Sequence, residues 1–438
     1  MAIEPQDVRL LANPRFRRLL ESRILGQTAL NAMLYALLIL VVEDTHSSVK
    51  STLLVVAFTL PSVLIGIPAG AAADILPKRL TLTAGYLLRA ALCGALVYYR
   101  DDLFYIYLLA AATSAVGQFF GPAEAASVPT VVRQDQLSAA NSLMVLTMML
   151  GQVAGMAVLA PFLIKLTSPE FVFVAATALF LGATYIIGWM ASGFSRAEDV
   201  GRPSLGIVEA MREGFRILRS NRRAYLAIVY VITAGALAKM LVVLLPQYTR
   251  DVLGISTEDT VFVAAPAAIG AGLGLMLVPP LARLFGAWRV AALGFALFVV
   301  GLIGLGFVVY VRDFIDSHLD FGISFVEREV GVSSVITVTM LLAIPLGFAF
   351  SLVSVAARVV MNEQAPPEAQ GRVFAVQSAL GDFLSLLPLL LIGAIADVVG
   401  VRATLLASAI GVSAATGYLT FSRRFGPRLE ERPLAEMA

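Results

Sequence analysis

The chain has little of what most enzymes use for chemistry. Its 438 residues include one cysteine and two histidines, and charged residues make up only 14% of them. A single cysteine forms no intrachain disulfide and no thiolate metal cluster. Cys93 falls inside an apolar run, where we expect it to pack, and His46 and His318 fall in predicted loops. Neither a metal site nor a cofactor is expected.

Motifs for nucleotide and hydrolytic chemistry are also missing. The sequence has no Gly-x-x-x-x-Gly-Lys-Ser/Thr loop for a nucleoside triphosphate, no His-Glu-x-x-His pair and no Gly-x-Ser-x-Gly turn. It also has no repeated pore loop of the kind that channels use. The sequence therefore argues against an ATP-driven machine, an enzyme and a channel.

Long apolar runs dominate instead. Hydrophobic residues form 59% of the chain and its mean hydropathy is +0.85, which is far from a soluble domain of this length. A hydrocarbon core about 30 Å thick needs roughly 20 helical residues per span. We predict an all-α polytopic membrane protein with twelve transmembrane helices. The predicted spans are residues 22–42, 52–72, 80–98, 104–121, 139–164, 171–191, 224–244, 261–281, 290–311, 335–355, 373–396 and 403–421.

Lysine and arginine residues are distributed unequally between the two sides of this layout. The side that holds the N-terminus carries twenty-three of them and the opposite loops carry seven. Because translocated loops keep few cations, both termini are predicted to be cytoplasmic, in a cell inner (plasma) membrane. The net charge of +2 reflects this sidedness, so no nucleic-acid partner is expected.

The spans form two blocks of six. Residues 1–194 make the N-terminal half, residues 195–223 a polar, arginine-rich cytoplasmic linker, and residues 224–438 the C-terminal half. A short basic turn follows span two and another follows span eight. Repeated halves related by an axis along the membrane normal are a known transporter architecture, with a binding site near the midplane.

The turn after span two carries a recognisable pattern. Gly70, Asp74, Lys78 and Arg79 resemble the signature of the major facilitator superfamily, although Pro77 stands where that signature usually has glycine. The resemblance implies a major facilitator fold and a gate on the cytoplasmic side. In that gate Asp74 would accept hydrogen bonds from the N-terminus of span eleven, whose dipole is positive.

Four further stretches resemble the branch of that superfamily that contains drug, macrolide and siderophore exporters. They are residues 13–19, 119–123, 245–254 and 371–374. The antiporter signature of span five is reduced to Gly151 and Gly155 with three residues between them. Small residues at this spacing more often serve close helix packing, and that is our prediction for them.

Three ionisable residues fall well inside the predicted spans, away from their ends: Arg89, Lys239 and Asp382. Such residues are costly in a membrane and are functional candidates by default. Asp382 is our candidate for proton coupling, with Glu124 held in reserve, and the alternative is a structural ion pair with Lys239 or Arg89. Lys239 could instead extend outward to the interface. If all three face a cavity, the excess of cations favours an anionic or zwitterionic amphiphile as substrate.

Several uncharged polar side chains fall in or near spans and either line the path or bond between helices. They are Gln27, Asn31, Gln118 and Gln377.

Taken with the resemblance, these residues predict a secondary transporter that exports amphipathic small molecules in exchange for protons. The alternatives are export or flipping of an anionic lipid-like metabolite, and uptake of a small solute. The expected partners are the substrate, protons or another coupling ion, and the lipid bilayer, and a monomer is expected.

Overall fold

The computed structural model describes residues 10–133, 136–189, 222–318, 333–364 and 370–421, and nearly all of them are helical. The first six helices are α1 (Pro14–Thr45), α2 (Ser48–Ile75), α3 (Lys78–Tyr99), α4 (Leu103–Val131), α5 (Leu137–Gln152) and α6 (Ala160–Leu166). They are followed by α7 (Pro169–Gly188), α8 (Arg222–Tyr248), α9 (Thr260–Phe285), α10 (Ala287–Gly306), α11 (Val308–His318), α12 (Ser334–Gln364), α13 (Gln370–Val399) and α14 (Val401–Phe421).

The described residues contain eleven segments long and apolar enough to cross a membrane. The α14 helix is not among them but has 21 residues, at the position of the twelfth predicted span. The all-α fold class is confirmed, and the predicted count of twelve spans is approximately right.

Local sequence explains where several helices begin and end. The Asn13 side chain accepts hydrogen bonds from the backbone N–H groups of Arg15 and Phe16, with Pro14 at the first helical position of α1. This arrangement satisfies donors that an uncapped helix leaves free. At the other end of the chain, Gly400 has a φ of +84°, which a residue with a side chain rarely adopts. It allows α13 to stop and α14 to start one residue later.

Several predicted spans differ in extent from the observed helices, among them spans four and five. Span four was placed at residues 104–121, but α4 continues to Val131 through Pro122 and Pro129. Neighbouring helices in a membrane protein can satisfy the backbone groups that proline frees, so proline did not end the helix. Span five is interrupted by a π-helical segment, Val153–Leu159, between α5 and α6. Such segments are rare and are often found at functional sites.

Contacts divide the chain into two compact units. Unit 1 comprises Met1–Ser204, Val242–Phe262 and Leu386–Val401, and unit 2 comprises Leu205–Leu241, Val263–Ser385 and Arg402–Ala438. In unit 1, α1 is almost enclosed and packs on α5 and α7, while α3 packs on α4 and α7. Cys93 is fully buried there and donates to the carbonyl of Phe173, which confirms the prediction that it serves packing.

Glycines bring helices together in both units. A side chain at Gly155 would collide with the α1 backbone at Thr28, and one at Gly151 with Gln27. The predicted close packing of these two glycines is therefore confirmed. In unit 2, Gly270 and Gly347 lie against the backbones of α12 and α9, respectively. Small residues allow this approach, which supplies the dispersion contacts that hold helices together in lipid.

Unit 1 also gathers the C-terminal ends of α8 and α13 against α1 and α2. The Asp397 carboxylate accepts from Ser47 Oγ at 2.7 Å and from the backbone N–H of Ser48 at 2.6 Å, so it caps the N-terminus of α2. Thr257 donates to Glu43 at 2.6 Å. Lys165 pairs with Asp259, and Arg250 contacts His46.

Some predictions lie outside the described residues. These are nearly all of the 195–223 linker, and the side-chain placement of Gly70 and Asp74 in the turn after α2. Helix α11 ends at His318, and residues 319–332 are not described.

Candidate functional site

Two groups of charged side chains lie within the spanning helices, one in each unit. The first joins α8 to α13 in unit 2. Lys239 Nζ lies 2.7 Å from Asp382 Oδ1 and donates to Ser385 Oγ at 3.0 Å. The Ser385 hydroxyl in turn donates to the Asp382 carbonyl at 2.8 Å. Asp382 lies roughly 18 Å along α13 from Gln370, well inside the predicted hydrocarbon region.

This group is balanced in charge and partly open. The side chains of Lys239 and Asp382 are both 32% exposed. Asp382 thus pairs with Lys239, which is one of the two partners that the sequence allowed. The Lys239 side chain extends to that carboxylate. The alternative prediction was that it would extend outward to the membrane interface. About a third of each side chain is therefore open to its surroundings.

The second group lies in unit 1 and contains two residues that the sequence analysis did not place well inside a span. Arg23 on α1 forms an ion pair with Glu124 on α4, and its Nε donates to the carbonyl of Met144 on α5 at 3.1 Å. The side chain of Glu124 is only 4% exposed and that of Arg23 is 15% exposed. Burial of this degree is normal for charges only when they are paired.

Arg89 on α3 is the third member of this group and has no such pairing. Its guanidinium carbon lies 4.9 Å from the centroid of the Phe120 ring, and the residue is 6% exposed. Arg89 forms no ion pair within the described ranges. Its Nε, like Glu124 Oε1, is buried without a hydrogen-bond partner among the described residues.

Neighbouring residues hold the Arg89 guanidinium and the Phe120 ring in position. Tyr86 packs edge-on against Phe120 at 4.6 Å between ring centroids and donates to the Ser22 carbonyl at 3.0 Å. A Cβ atom at Gly117 would come within 2.6 Å of Arg89 Nη2. The glycine therefore leaves the space that the guanidinium occupies.

A cavity of about 420 Å³ opens beside these side chains. Its walls combine three charged groups with apolar surface from α1, α3, α4 and α5. The lining residues are Arg23, Gln27, Arg89, Gly117, Phe120, Gly121, Glu124, Ala125, Val128 and Met144. Cavities that take small organic ligands measure roughly 300 to 1,000 Å³, so this one is large enough for a small molecule or for part of a larger one.

The charges of this cavity do not cancel. An arginine stays protonated in proteins, so two guanidinium groups face one carboxylate. A charge at the centre of a membrane helix costs about 2.5 to 3.5 kcal/mol. The Phe120 ring returns about 2 kcal/mol to a desolvated cation, but it carries no net negative charge. Arg89 is therefore incompletely compensated.

The uncharged polar candidates contribute little to the cavity, because only one of the four lines it. Gln27 lines the cavity. Asn31 donates to the Gln27 carbonyl at 2.8 Å and Gln118 to the Ser114 carbonyl at 3.3 Å, so both bond within their own helices. Gln377 is half-buried on α13.

The turn between α2 and α3 shows one contact of the predicted gate motif. Arg79 donates to the carbonyl of Gly188 at the end of α7. Lys78 is the first residue of α3. The predicted hydrogen bonds of Asp74 stay a prediction.

Sequence reasoning did not pair Arg23 with Glu124, for a specific reason. Arg23 was counted among the cytoplasmic cations, and Glu124 fell beyond the predicted end of span four. The signal that could have found them is the apolar stretch that resumes after Pro122, which makes α4 29 residues long. A helix of that length places Glu124 roughly 10 Å inside its end.

Comparisons with known proteins agree with this fold. The sequence profile of the Major Facilitator Superfamily matches residues 24–387. The multidrug efflux pump Tap of Mycolicibacterium fortuitum is 26% identical over 423 residues, which cover 90% of this chain and 91% of that protein. This relative agrees with the predicted resemblance to the drug-exporter branch.

Solved structures extend the comparison to three dimensions. The nucleoside transporter NupG has a TM-score of 0.74 and 11% identity, over 93% of this chain and 98% of that one. A bacterial homologue of the human lysosomal transporter Spinster, in an inward-facing and unoccupied conformation, has a TM-score of 0.68 and 13% identity, over 93% and 96%. At these identities the likeness shows the fold alone. Because the family profile matches most of the sequence and the fold agrees with it, this chain belongs to the major facilitator superfamily.

Proposed function

We propose that this transporter exports amphipathic small molecules in exchange for protons. The observation that carries the proposal is the contact of Lys239 with Asp382 and Ser385 inside the spanning helices. The similarity to a protein named as a multidrug efflux pump supports the direction and the class of substrate. Without a nucleotide-binding loop in the chain, an ion gradient is the available source of energy.

Proton exchange would act on the ion pair itself. When Asp382 is ionised, it holds Lys239 by charge, and Ser385 fixes the ammonium group with a second contact. When Asp382 takes a proton, the charge attraction disappears, and the contacts of Lys239 with Asp382 and Ser385 become hydrogen bonds to neutral acceptors. Loss of the charge attraction between α8 and α13 would change the relative stability of two arrangements of these helices. Coupling requires that protonation favour one conformation of the transporter over the other.

The distribution of cations supports an orientation with both termini in the cytoplasm, in the inner (plasma) membrane. Transport would proceed by alternating access, with the two six-helix halves moving around a central path. Asp74 would help to close the cytoplasmic side by accepting hydrogen bonds from the N-terminus of α13. The capping of α2 by Asp397 would be one of the contacts that must break when the opposite side opens.

A second candidate function rests on the cavity in unit 1. Its excess of cations favours export or flipping of an anionic, lipid-like metabolite. Uptake of a small solute is a third possibility that the same architecture permits. A screen of differently charged compounds distinguishes these functions more directly than any single substrate.

The test uses three xanthene dyes that share one ring system. They are anionic fluorescein, a zwitterionic rhodamine with a free carboxylate, and the cationic methyl ester of that rhodamine. Accumulation of each dye is measured in inside-out vesicles whose lumen is acidified. The wild-type protein is expected to accumulate at least one dye, and Asp382→Asn is expected to fall to the level of protein-free vesicles while retaining exchange down a dye gradient.

The matched control is Asp313→Asn, which neutralises an exposed carboxylate on α11 that pairs with Arg312. It should transport like the wild type. Accumulation by Asp382→Asn at the wild-type rate, under the same pH gradient, would remove the coupling role from this residue and overturn the proposal.

A further inference from the structure

We propose that the cavity beside Arg89 binds an anionic group, a carboxylate or a phosphate ester, on an amphipathic ligand. The site lies wholly among α1, α3, α4 and α5 of unit 1. The inference deepens the proposed function and rests on it for the direction of transport. Binding itself needs no gradient and is measured separately.

The charge balance is the first step of the argument. Arg23 is neutralised by Glu124, and the α5 backbone contributes only the Met144 carbonyl to Arg23. No acidic side chain other than Glu124 is found among the cavity-lining residues. Arg89 is therefore the source of an excess positive charge, and a ligand that supplies one negative charge would neutralise the cavity.

The geometry of the guanidinium group is the second step. Arginine presents a planar fork of donors that matches carboxylate and phosphate oxygens, often with two parallel hydrogen bonds. The Arg89 Nε is a buried donor without a partner in the described structure. Its guanidinium lines the cavity, and one face of it is covered by Phe120. An anion in the cavity would bind the N–H donors of the guanidinium and not the face that Phe120 covers.

The remaining walls determine what else the ligand must contain. Phe120, Val128 and Met144 supply aromatic and aliphatic surface to the cavity, which suits a flat or flexible apolar body. Glu124 Oε1 is a buried acceptor without a partner among the described residues. It favours a ligand that also carries an N–H or O–H donor. The site therefore fits a carboxylate-bearing or phosphate-bearing amphiphile better than a simple hydrophobic cation.

The test is equilibrium binding of the three xanthene dyes to the purified full chain in phosphatidylcholine nanodiscs, followed by fluorescence polarisation. Fluorescein and the zwitterionic rhodamine carry a free carboxylate, and the methyl ester does not. We expect Arg89→Gln to weaken binding of both carboxylate dyes by about tenfold or more, equivalent to about 1.4 kcal/mol. Binding of the ester should be unchanged.

Two further variants separate charge from shape. Arg402→Gln removes an arginine at the start of α14 in unit 2 that donates to the Gly306 carbonyl, and it should leave dye binding unchanged. Gly117→Ala keeps every charge but places a methyl group against Arg89 Nη2. It should weaken binding of the carboxylate dyes several-fold and spare the ester.

A second arm distinguishes a free solute from a lipid head group, because both present the same chemistry. Phosphatidylglycerol is added to the nanodiscs at increasing fractions. Saturable competition with fluorescein that disappears in Arg89→Gln would identify the phosphate of a lipid as the occupant. Absence of competition would identify a free solute. Either result supports the site.

Thermal unfolding tests whether Arg89→Gln weakens dye binding only because it destabilises the protein. Removing an uncompensated buried charge should leave the ligand-free melting temperature of Arg89→Gln equal to or above that of the wild type. Equal binding of all three dyes by the wild type and Arg89→Gln would overturn the inference. That result would leave the proposed function untouched if Asp382→Asn still abolishes accumulation. Conversely, Arg89-dependent binding without any proton-driven transport would overturn the proposed function alone.

Discussion

The two charged groups within the spanning helices meet the cost of burial in different ways. In unit 2, Lys239 and Asp382 form a one-to-one pair in which each side chain is about one-third exposed. In unit 1, the one carboxylate pairs with Arg23 and leaves Arg89 without an ion pair among the described residues, and Glu124 and Arg89 are almost completely buried. A partly hydrated pair is inexpensive to separate, whereas a buried, unbalanced group is expensive to alter.

This contrast suggests that the two charged groups have different functions. A pair that separates at little cost suits a proton switch, which must exist in both a charged and a neutral form. A fixed excess of positive charge suits recognition, because the ligand completes the electrostatics of the cavity. The following changes test the contrast, in order of the effect expected on the free energy of unfolding.

Glu124→Gln should have the largest effect. It leaves Arg23 without its counter-charge beside an already uncompensated Arg89, and breaking a buried pair from one side costs about 3 to 5 kcal/mol. The free energy of unfolding is measured in detergent with denaturant. The double variant Arg23→Gln with Glu124→Gln should regain most of the loss, because both charges are then gone. Wild-type stability of the single variant would show that the pair does not hold α1 to α4.

Gly155→Ala should come next and should affect unit 1. The added methyl group collides with the α1 backbone at Thr28 and pushes away the helix that carries Arg23, at a cost of about 1 to 3 kcal/mol. The matched change in unit 2 is Gly235→Ala, four residues before Lys239, where nothing lies within 4 Å of the new Cβ. Gly235→Ala should be neutral or stabilising. Equal losses for the two variants would contradict the packing described for Gly155.

Asp397→Ala tests whether a second carboxylate on α13 also contributes to proton coupling, as is proposed for Asp382. Asp397 caps α2, and loss of a cap costs about 0.5 to 2 kcal/mol. The local readout is labelling of a cysteine at Thr52, which lies against Gly393, with a membrane-impermeant maleimide in a Cys93→Ala background. Labelling should become faster, while any remaining dye transport stays driven by the pH gradient. Unchanged labelling would show that the Asp397 cap does not hold Thr52 against Gly393. Loss of proton-driven transport would show that Asp397 is needed for coupling in the same way as Asp382.

Lys239→Gln should have the smallest effect on stability. A pair that is one-third exposed contributes about 1 kcal/mol or less, so the melting temperature should barely change. Transport should nevertheless be lost, because the charge that responds to Asp382 is gone. A large loss of stability would instead indicate that the pair is a structural lock between α8 and α13, as the sequence also allowed.

Much of the fold could be predicted because lipid imposes simple rules on sequence. Apolar runs identified the spans, and the spacing of Gly151 and Gly155 predicted the close contact with another helix. The burial of Cys93 followed from its position in an apolar run. These features depend on local sequence and on the solvent, so the partner helix need not be known in advance.

The charged groups could be predicted only in part, because they depend on contacts between distant residues. Arg23 and Glu124 are separated by 101 positions, and their pairing is what permits a carboxylate to lie within α4. Asp382 was found as a candidate, but the choice of Lys239 as its partner required the structure. The π-helical segment after Gln152 had no sequence signal that we recognised.

The most direct test of the coupling role is a count of protons released when a ligand binds. The purified protein, in weakly buffered detergent solution at a pH low enough for Asp382 to carry a proton, is mixed with the zwitterionic rhodamine while a pH electrode follows the solution. The wild type should release protons in proportion to the dye bound, and Arg89→Gln should release few because it binds little dye. Asp382→Asn should bind the dye normally and release none. Wild-type proton release by Asp382→Asn would contradict the assignment of proton exchange to the Lys239–Asp382 pair.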